Sequence, residues 1–300
     1  MKRILVMGGT RFAGIRLVNQ LLREGCNVTI ATRGMANDLF EDSIDRIIFD
    51  RTDVKSMRRV FAGKRYDVVF DQIGYCADDL AAACEVFSGT IGHYVFTSSN
   101  AVYRDARKRG IIEADFDPLQ VECSLGKQPG DVGYSTGKQQ AESYLARNAP
   151  FPYAAARIPI VMAADDPIQR MGFLVGRILD GKPLVIPPSC GLLNYINPEE
   201  KGRFLTWLGL SGCTGPYNAG SERWIDPVEL TQLTGNILGI EPIIVTAGPD
   251  CDRVRFAYPY DMTVDVSKAK RDGFEFTSFD LWFPTVVKDT AQVYLRSAQQ

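Results

Sequence analysis

A chain of 300 residues with a formal net charge of −2 is long enough for one large α/β unit, or for a large domain that carries a smaller one. The small net charge argues against strong electrostatic binding to nucleic acid or to an anionic membrane surface. No apolar segment approaches the length of a membrane span. Seven cysteines are scattered without a Cys-x-x-Cys pair, so we predict no metal site and no disulfide framework, and we expect a reduced, cytoplasmic setting.

The first half of the chain alternates short apolar runs with segments of helical periodicity. The apolar runs, which we predict as strands, are Ile4–Met7, Val28–Ala31, Arg46–Phe49, Asp67–Phe70, Tyr94–Thr97 and Tyr153–Ile158. The segments with apolar residues every three or four positions, which predict helices, are Ile15–Arg23, Val54–Phe61, Asp79–Phe87 and Ser135–Arg147. Because the runs are apolar on both faces and alternate with helices, they predict an α/β fold with a doubly wound parallel sheet. Ligands of such sheets bind at the carboxyl ends of the strands.

The regular alternation is lost after about residue 160, where turns rich in proline and glycine separate the predicted helices. Residues 216–220 are predicted to return to the sheet as a strand, and Asp226 is expected to cap a helix whose first turn contains Pro227. We therefore predict a Rossmann domain over residues 1–162, with a returning segment near 192–238. A smaller C-terminal substrate-binding lobe is predicted over residues 163–191 and 239–300.

The first predicted strand ends in the turn Gly8-Gly-Thr-Arg-Phe-Ala-Gly14, which then opens a helix. This is the context that a dinucleotide-binding turn requires. Its glycines permit a tight turn and a close approach of the backbone to a pyrophosphate, which then meets the helix N-terminus. Arg11 stands where the motif has its middle glycine. A plain strand-to-helix turn is the alternative interpretation.

The choice between NAD and NADP is indicated at the end of the second predicted strand. An NAD-selective site has Asp or Glu at this place, whereas an arginine can accept the 2′-phosphate of NADP. Thr32 and Arg33 therefore favour NADP, and Arg11 is a further cation that can assist. The alternative is that Arg33 is a solvated turn residue. After the third strand, the segment Asp50-Arg51-Thr52-Asp53 could hold the adenine, although carboxylates at a helix start are also ordinary caps.

The segment Tyr134-Ser-Thr-Gly-Lys138 places a tyrosine and a lysine on one face of a predicted helix, one turn apart. A lysine ammonium at that distance favours the phenolate, so it would lower the tyrosine pKa and make Tyr134 a general acid/base at neutral pH. The chain has a single histidine, His93, which excludes mechanisms that need two. We interpret His93 as a structural residue at a strand entry and Arg157 as a structural ion-pair residue.

Three motifs, Gly8–Gly14, Thr97-Ser-Ser-Asn-Ala-Val-Tyr103 and Tyr134–Lys138, resemble those of the extended short-chain dehydrogenase/reductase family and of its NAD-dependent epimerase/dehydratase branch. The resemblance implies that Tyr134 is the acid/base, that Lys138 holds the nicotinamide ribose, and that Ser99 hydrogen-bonds the reacting substrate oxygen. The cofactor-binding residues that we predict are Gly8, Gly9, Thr10, Arg11, Phe12, Gly14, Thr32, Arg33, Asp50, Arg51, Thr97, Tyr134 and Lys138.

The resemblance implies an NAD(P)-dependent epimerase that acts on a sugar nucleotide or a similar carbinol substrate by transient hydride transfer. Ser98-Ser99 stands where sugar-nucleotide dehydratases carry Asp-Glu, which argues against dehydration. One alternative is an NADPH-dependent reductase of a small carbonyl compound. Another is a non-catalytic nucleotide- or RNA-binding protein, because the Gly-Gly-Thr-Arg-Phe subgroup includes chloroplast stem-loop-binding ribonucleoproteins. The resemblance also implies a homodimer formed through two helices of each subunit.

Overall fold

The computed structural model describes residues 1–36, 40, 43–106, 108–127 and 130–298. The chain forms two compact units. The first comprises Met1–Asp105, Glu113–Ile158 and Glu199–Ala219, and the second comprises Ala106–Ile112, Pro159–Pro198 and Gly220–Gln300. That these units correspond to a cofactor-binding and a substrate-binding domain stays a prediction.

Most strands belong to one sheet in the first unit. The strands are β1 (Arg3–Met7), β2 (Asn27–Thr32), β3 (Asp45–Ile48), β4 (Tyr66–Asp71), β5 (Ile91–Ser99), β6 (Tyr153–Ile158), β7 (Ile160–Val161), β8 (Leu184–Val185), β9 (Tyr195–Ile196), β10 (Gly215–Asn218) and β11 (Ile244–Val245). Within the described ranges the large sheet has seven strands in the order β10-β6-β5-β4-β1-β2-β3, all paired in parallel. The predicted doubly wound parallel sheet is therefore confirmed, as is the returning strand.

The helices follow the predicted positions closely in the first half of the chain. They are α1 (Ala13–Arg23), α2 (Val54–Phe61), α3 (Ala77–Phe87), α4 (Tyr134–Asn148), α5 (Arg170–Leu179), α6 (Pro198–Ser211), α7 (Pro227–Leu238), α8 (Ser267–Arg271) and α9 (Phe279–Ala298). Asp226 caps α7, because its Oδ1 accepts hydrogen bonds from the backbone N–H of Val228 at 2.8 Å and of Glu229 at 2.9 Å. In the described part of the chain, none of the helices has the length and apolar character that a membrane span needs.

The first unit is organised by its central strand. Ile4 to Met7 of β1 are all fully buried, because β1 lies between β2 and β4 and is covered by helices on both faces. His93 lies inside β5 and is buried, and burial lowers its pKa, in keeping with a structural residue. The strand order reverses at β1, since β2 and β3 lie on one side of it and β4 to β6 on the other. Crevices for ligands form at such reversals.

The second unit has a separate hydrophobic core. Residues of α5, α7 and α9 pack together there around an aromatic group formed by Phe279, Trp282 and Phe283. Asn194 connects two distant segments of this unit. Its Nδ2 donates to the Ser221 carbonyl at 2.7 Å, and its Oδ1 accepts from the Val264 N–H at 2.6 Å. The strands of this unit are two residues long and form two small two-stranded sheets, β7 with β9 and β8 with β11.

Candidate active site

A cavity of about 510 Å³ opens in the first unit at the carboxyl ends of the strands where the sheet order reverses. The turn after β1, the end of β2, the segment after β3 and the segment after β4 all line it. The predicted cofactor-binding residues that line it are Gly8, Gly9, Thr10, Arg11, Phe12, Gly14, Thr32, Arg33, Asp50 and Arg51. Folding thus brings together three predicted segments that are far apart along the chain.

The turn after β1 has the backbone that its glycines were expected to allow. Gly8 and Gly9 both have φ of +98°, a conformation that residues with a Cβ rarely adopt. A Cβ at Gly14 would lie 2.9 Å from the Cα of Gly9, so glycine is needed there for the helix to close onto the turn. Within the described residues no side chain caps the first turn of α1. This cradle, with an uncapped helix N-terminus behind it, fits the pyrophosphate of a dinucleotide.

The end of β2 presents a cation to the cavity. Arg33 is exposed there, and Thr32 is half-buried with its hydroxyl oxygen accepting from the N–H of Gly34 at 3.2 Å. Asp50 lies at the same end of the cavity, where hydrogen bonds from the Thr52 hydroxyl and N–H lower its pKa and keep it ionised. Arg33 adds a weaker electrostatic contribution in the same direction. The cavity therefore has a charged outer end that carries one arginine and one carboxylate.

Arg51 also lines the cavity, but its guanidinium group is used within the protein. Nη1 donates to Asp71 Oδ1 at 2.8 Å, and Nη2 donates to the carbonyl of Asp79 at 2.8 Å. Burial disfavours the charge, but Asp71, Tyr94 and Asp79 together outweigh burial and raise the pKa of Arg51. The Tyr94 hydroxyl donates a hydrogen bond to the same Asp71 carboxylate. A contact between Arg51 and adenine stays a prediction, and it would have to use atoms other than Nη1 and Nη2, which are occupied by Asp71 and Asp79.

Lys138 is buried at the ends of the two strands that follow the sheet reversal. Its Nζ donates to the carbonyl of Gly74 at 2.6 Å and to the carbonyl of Thr97 at 2.7 Å. Tyr134 begins α4 one turn earlier, is 57% exposed, and has its ring centroid 5.9 Å from Lys138 Nζ. The predicted placement on one helix face is confirmed. Burial lowers the pKa of Lys138 to about 7, with Asp71 opposing the change and the charge of Lys201 adding to it.

A glycine between the two residues makes this approach possible. A Cβ at Gly137 would lie 2.4 Å from the carbonyl oxygen of Tyr75, so only glycine lets α4 come this close to the segment after β4. The lysine that follows can then reach Gly74. The Tyr134–Lys138 motif alone did not predict that glycine is required at position 137, because Tyr75, the neighbour that requires it, lies in the segment after β4.

Thr97, Ser98 and Ser99 end β5, and their side chains lie on alternate faces of the sheet. Ser98 donates to Glu142 Oε1 at 2.5 Å and is buried against α4. Thr97 and Ser99 point the other way, because side chains alternate along a strand. Ser99 Oγ accepts from the N–H of Ala101 at 3.2 Å, which leaves its own O–H available as a donor among the described residues. This arrangement supports the choice of Ser99 over Ser98 for contact with a substrate.

The lining residues that were not predicted include Gln72, Tyr75 and Lys201. Gln72 and Tyr75 follow β4, so the rule that ligands bind at strand ends could have found them. Gln72 donates through Nε2 to the Thr97 hydroxyl at 2.6 Å. Lys201 comes from the first turn of α6, and no local pattern in the sequence connects it to the glycine turn.

Comparison with known proteins is consistent with this geometry. The model of the NAD dependent epimerase/dehydratase family matches residues 4–147. Residues 4–147, just under half of the chain, are therefore similar to this family. The match covers all three motifs on which the resemblance was predicted, and that prediction is confirmed. The matched part contains the glycine turn, the serine strand end and the Tyr134–Lys138 pair.

Two curated relatives and one solved structure illustrate the range of similar proteins. The chain is 34% identical over 115 residues to the chloroplast stem-loop binding protein of 41 kDa b of Arabidopsis thaliana, covering 34% of this chain and 30% of that protein. It is 26% identical over 125 residues to 2′-dehydrokanamycin reductase of Streptomyces kanamyceticus, covering 42% of this chain and 35% of that protein. The chain spans less than half the length of these curated relatives.

The fold is shared over the whole chain with a solved enzyme. UDP-glucose 4-epimerase of Thermotoga maritima, solved with UDP-glucose, superposes with a TM-score of 0.74 at 20% identity, covering 99% of this chain and 100% of that one. At this level of identity the likeness confirms the Rossmann-like fold.

Proposed function

We propose that this protein is an NAD(P)-dependent epimerase that acts on a nucleoside-diphosphate sugar or a similar carbinol substrate. The observation that carries the proposal is the Tyr134–Lys138 pair, which lies at the carboxyl ends of β4 and β5 in the unit that holds the glycine-turn cavity. The match of residues 4–147 to the epimerase/dehydratase family supports it. So does the shared fold with an epimerase that was solved with a UDP-sugar.

The residues of the chain have distinct roles in this proposal. NAD(P), when bound, supplies the hydride acceptor and donor, and the protein supplies orientation and proton transfer. Tyr134 removes the proton of the substrate hydroxyl and later returns it. Ser99 donates its O–H to the same substrate oxygen. Lys138, anchored by two backbone carbonyls, holds its nitrogen close to the Tyr134 ring, and in its charged form it favours the phenolate.

We further propose that the cofactor preference leans toward NADP. The end of β2 carries Thr32 and Arg33 where an acidic residue would bind the ribose 2′-hydroxyl of NAD. Arg33 is exposed on the cavity, where it could meet a 2′-phosphate. Arg11, in the glycine turn, lines the same cavity and is also exposed.

An NADPH-dependent reductase of a small carbonyl substrate is the second candidate. Arg33 favours it, because an enzyme that consumes reducing equivalents needs NADPH, whereas an epimerase regenerates its bound cofactor in each cycle. The similarity to 2′-dehydrokanamycin reductase points in the same direction. A non-catalytic RNA-binding role is suggested by the name of the Arabidopsis relative. The net charge of −2 and the presence of both Tyr134 and Lys138 favour an enzyme.

The remaining parts of the proposal concern partners and location. The substrate is a small molecule of the nucleoside-diphosphate sugar class, and the protein forms a homodimer. The cytoplasmic setting is supported by its cysteines, which are all free thiols in the described part of the chain. Mass spectrometry of ligands that co-purify with the protein would identify the substrate class, and light scattering would measure the oligomeric state.

Replacement of Tyr134 by Phe tests the proposal. We expect kcat for a panel of nucleoside-diphosphate sugars to fall by roughly 10² to 10⁴, because a positioned acid/base contributes about that much. The thermal unfolding midpoint should stay close to the wild-type value, because the Tyr134 side chain is half exposed. Tyr144→Phe, the same change on the same helix but away from the cavity, is the control. Unchanged turnover in Tyr134→Phe would exclude the assigned acid/base.

A further inference from the structure

Lys201 lines the cavity that holds the glycine turn, although it comes from α6, far along the chain. Its position is fixed by the contact between α6 and α1. A Cβ at Gly202 would lie 2.9 Å from the carbonyl carbon and oxygen of Arg16, so the two helices touch at this glycine. Arg16 and Glu199 add an ion pair with a 3.1 Å separation. Residue 201 is therefore held beside the first turns of α1.

The charge of Lys201 has no partner within the described residues, where no hydrogen bond or salt bridge reaches its ammonium group. The side chain is partly buried, and burial lowers the pKa of Lys201 to about 8. Its charge also acts on Lys138 and contributes to the lowered pKa of that residue. An ammonium group taken from water without a counter-ion is costly, so an anion that enters the cavity would be stabilised there.

Two of the other cations that line the cavity are used differently. Arg51 is paired with Asp71 and Asp79, and Arg33 lies near Asp50. Lys201 lies instead beside the N-terminus of α1, where the helix presents a partial positive charge. A diphosphate carries two negative charges and is the group for which the Gly8–Gly14 cradle has the right backbone.

We propose that Lys201 binds the diphosphate bridge of the dinucleotide cofactor. The assignment rests on the proposed function, which gives this cavity to NAD(P), and it adds a binding residue that lies outside the family's three motifs and outside residues 4–147. It also explains why an ammonium group stands without a carboxylate in the described surroundings: its counter-ion arrives with the ligand. A diphosphate also occurs in nucleoside-diphosphate sugars, and the shared lining with the glycine turn assigns Lys201 to the cofactor rather than to the substrate.

Direct binding measurements on Lys201→Met test this assignment without any need for turnover. The probes are ADP-ribose, which has the diphosphate but no nicotinamide, and adenosine 2′-monophosphate, which has no diphosphate. Titration calorimetry should show the Kd for ADP-ribose rising by roughly 10- to 100-fold, as expected for the loss of a charge-assisted hydrogen bond. The Kd for adenosine 2′-monophosphate should change by less than about threefold. Lys201→Arg, which keeps the charge, should restore most of the affinity for ADP-ribose.

Matched controls separate a charge effect from a folding defect. Lys64→Met removes an exposed lysine of the same unit that does not line the cavity, and it should bind ADP-ribose like the wild type. Thermal unfolding should show Lys201→Met at least as stable as the wild type, because an uncompensated charge is removed. If Lys201→Met does not fold, Lys201→Gln is titrated with the same probes.

The possible outcomes distinguish this inference from the proposed function. If the wild type binds ADP-ribose and Lys201→Met binds it equally well, the role of Lys201 is overturned and the cofactor cavity stands. If the wild type binds neither ADP-ribose nor NADP, the proposed cofactor is overturned and the role of Lys201 with it. If Lys201→Met weakens binding of UDP-glucose alone, the charge serves the substrate and the assignment to the cofactor is overturned.

Discussion

Two kinds of buried cation lie in the first unit, and they have opposite electrostatic surroundings. Arg51 and Arg157 are each held by carboxylates, and the pKa of each is raised because that attraction outweighs burial. Arg157 places Nη2 2.6 Å from Glu142 Oε2, and its Nη1 donates to the Tyr103 hydroxyl oxygen at 2.6 Å. The predicted role of Arg157 as a structural ion-pair residue is confirmed.

The lysines differ from the arginines in both partners and pKa. Lys138 donates to two backbone carbonyls, and no carboxylate of the described residues is in hydrogen-bond contact with it. Burial lowers its pKa to about 7. Lys201 has its pKa lowered to about 8 by burial alone. Buried cations that are paired with carboxylates have a structural role. Cations without a carboxylate partner beside a cavity are candidates for ligand binding and catalysis. Three changes test this contrast, beyond those given above for Tyr134 and Lys201.

The largest effect on stability is expected from breaking a paired arginine. Arg157→Met should lower the free energy of unfolding by about 3–5 kcal/mol, because it leaves the Glu142 carboxylate buried without its counter-ion. The double variant with Glu142→Leu should recover most of that loss, since it removes both charges. Chemical denaturation of the wild type, the single variant and the double variant measures this. A single variant as stable as the wild type would show that the pair is not structural.

A smaller, pH-dependent effect is expected from an unpaired lysine. The pKa of Lys138 is about 7 in the fold and about 10.4 in an unfolded chain, so between these values the unfolded state binds more protons. The wild type should therefore gain stability relative to Lys138→Met as the pH rises above 7, by at most about 1.4 kcal/mol per pH unit.

Denaturation curves of the two proteins from pH 7 to about 8.5 test this expectation, within the range that lies below the unfolded-state pKa. For Lys64→Met, which removes an exposed lysine, the free energy of unfolding should change with pH as it does for the wild type over the same range. Parallel curves for the wild type and Lys138→Met would contradict the lowered pKa. Such a result would also mean that Lys138 resembles Arg51 and Arg157, whose charges are compensated.

The smallest effect is expected at the exposed cation of the cavity. Arg33→Ala should weaken NADP binding by roughly tenfold, the lower end of the range for a hydrogen bond to a charged group, because solvent screens an exposed arginine. The affinity for NAD should not change. Fluorescence titration with both dinucleotides measures this, with Arg59→Ala on α2 as an exposed control outside the cavity. Equal affinities for NADP and NAD in the wild type and in Arg33→Ala would exclude a 2′-phosphate role.

Much of the fold could be predicted because it depends on patterns that are local along the chain. The six predicted strands and four predicted helices of the first half are present, with ends shifted by at most three residues. Gly8 and Gly14 were recognised because a positive φ and a close backbone approach leave glycine as the usual choice. The second unit was harder to predict, since strands of two residues have too short a periodicity to be distinguished from turns.

The candidate site could be predicted in part for the same reason. The spacing of Tyr134 and Lys138 on one helix was enough to place them together. The pairing of Arg51 with Asp71 and Asp79 could not be predicted from the sequence after β3, because these partners lie at the end of β4 and in α3. The need for Gly137 was also invisible, since it depends on the carbonyl of Tyr75.

The sequence by itself determined the parallel sheet, the glycine turn, the Tyr–Lys pair and the similarity of residues 4–147 to the epimerase/dehydratase family. These features rest on periodicity, on the conformational freedom of glycine and on spacing within single elements. Only the tertiary structure decided which buried cations are neutralised, because counter-ions come from segments that are distant in sequence. It assigned Ser98 to Glu142 and left Ser99 available, and it placed Lys201 on the cavity. Charge compensation depends on distance in space, and that distance is set only when the chain has folded.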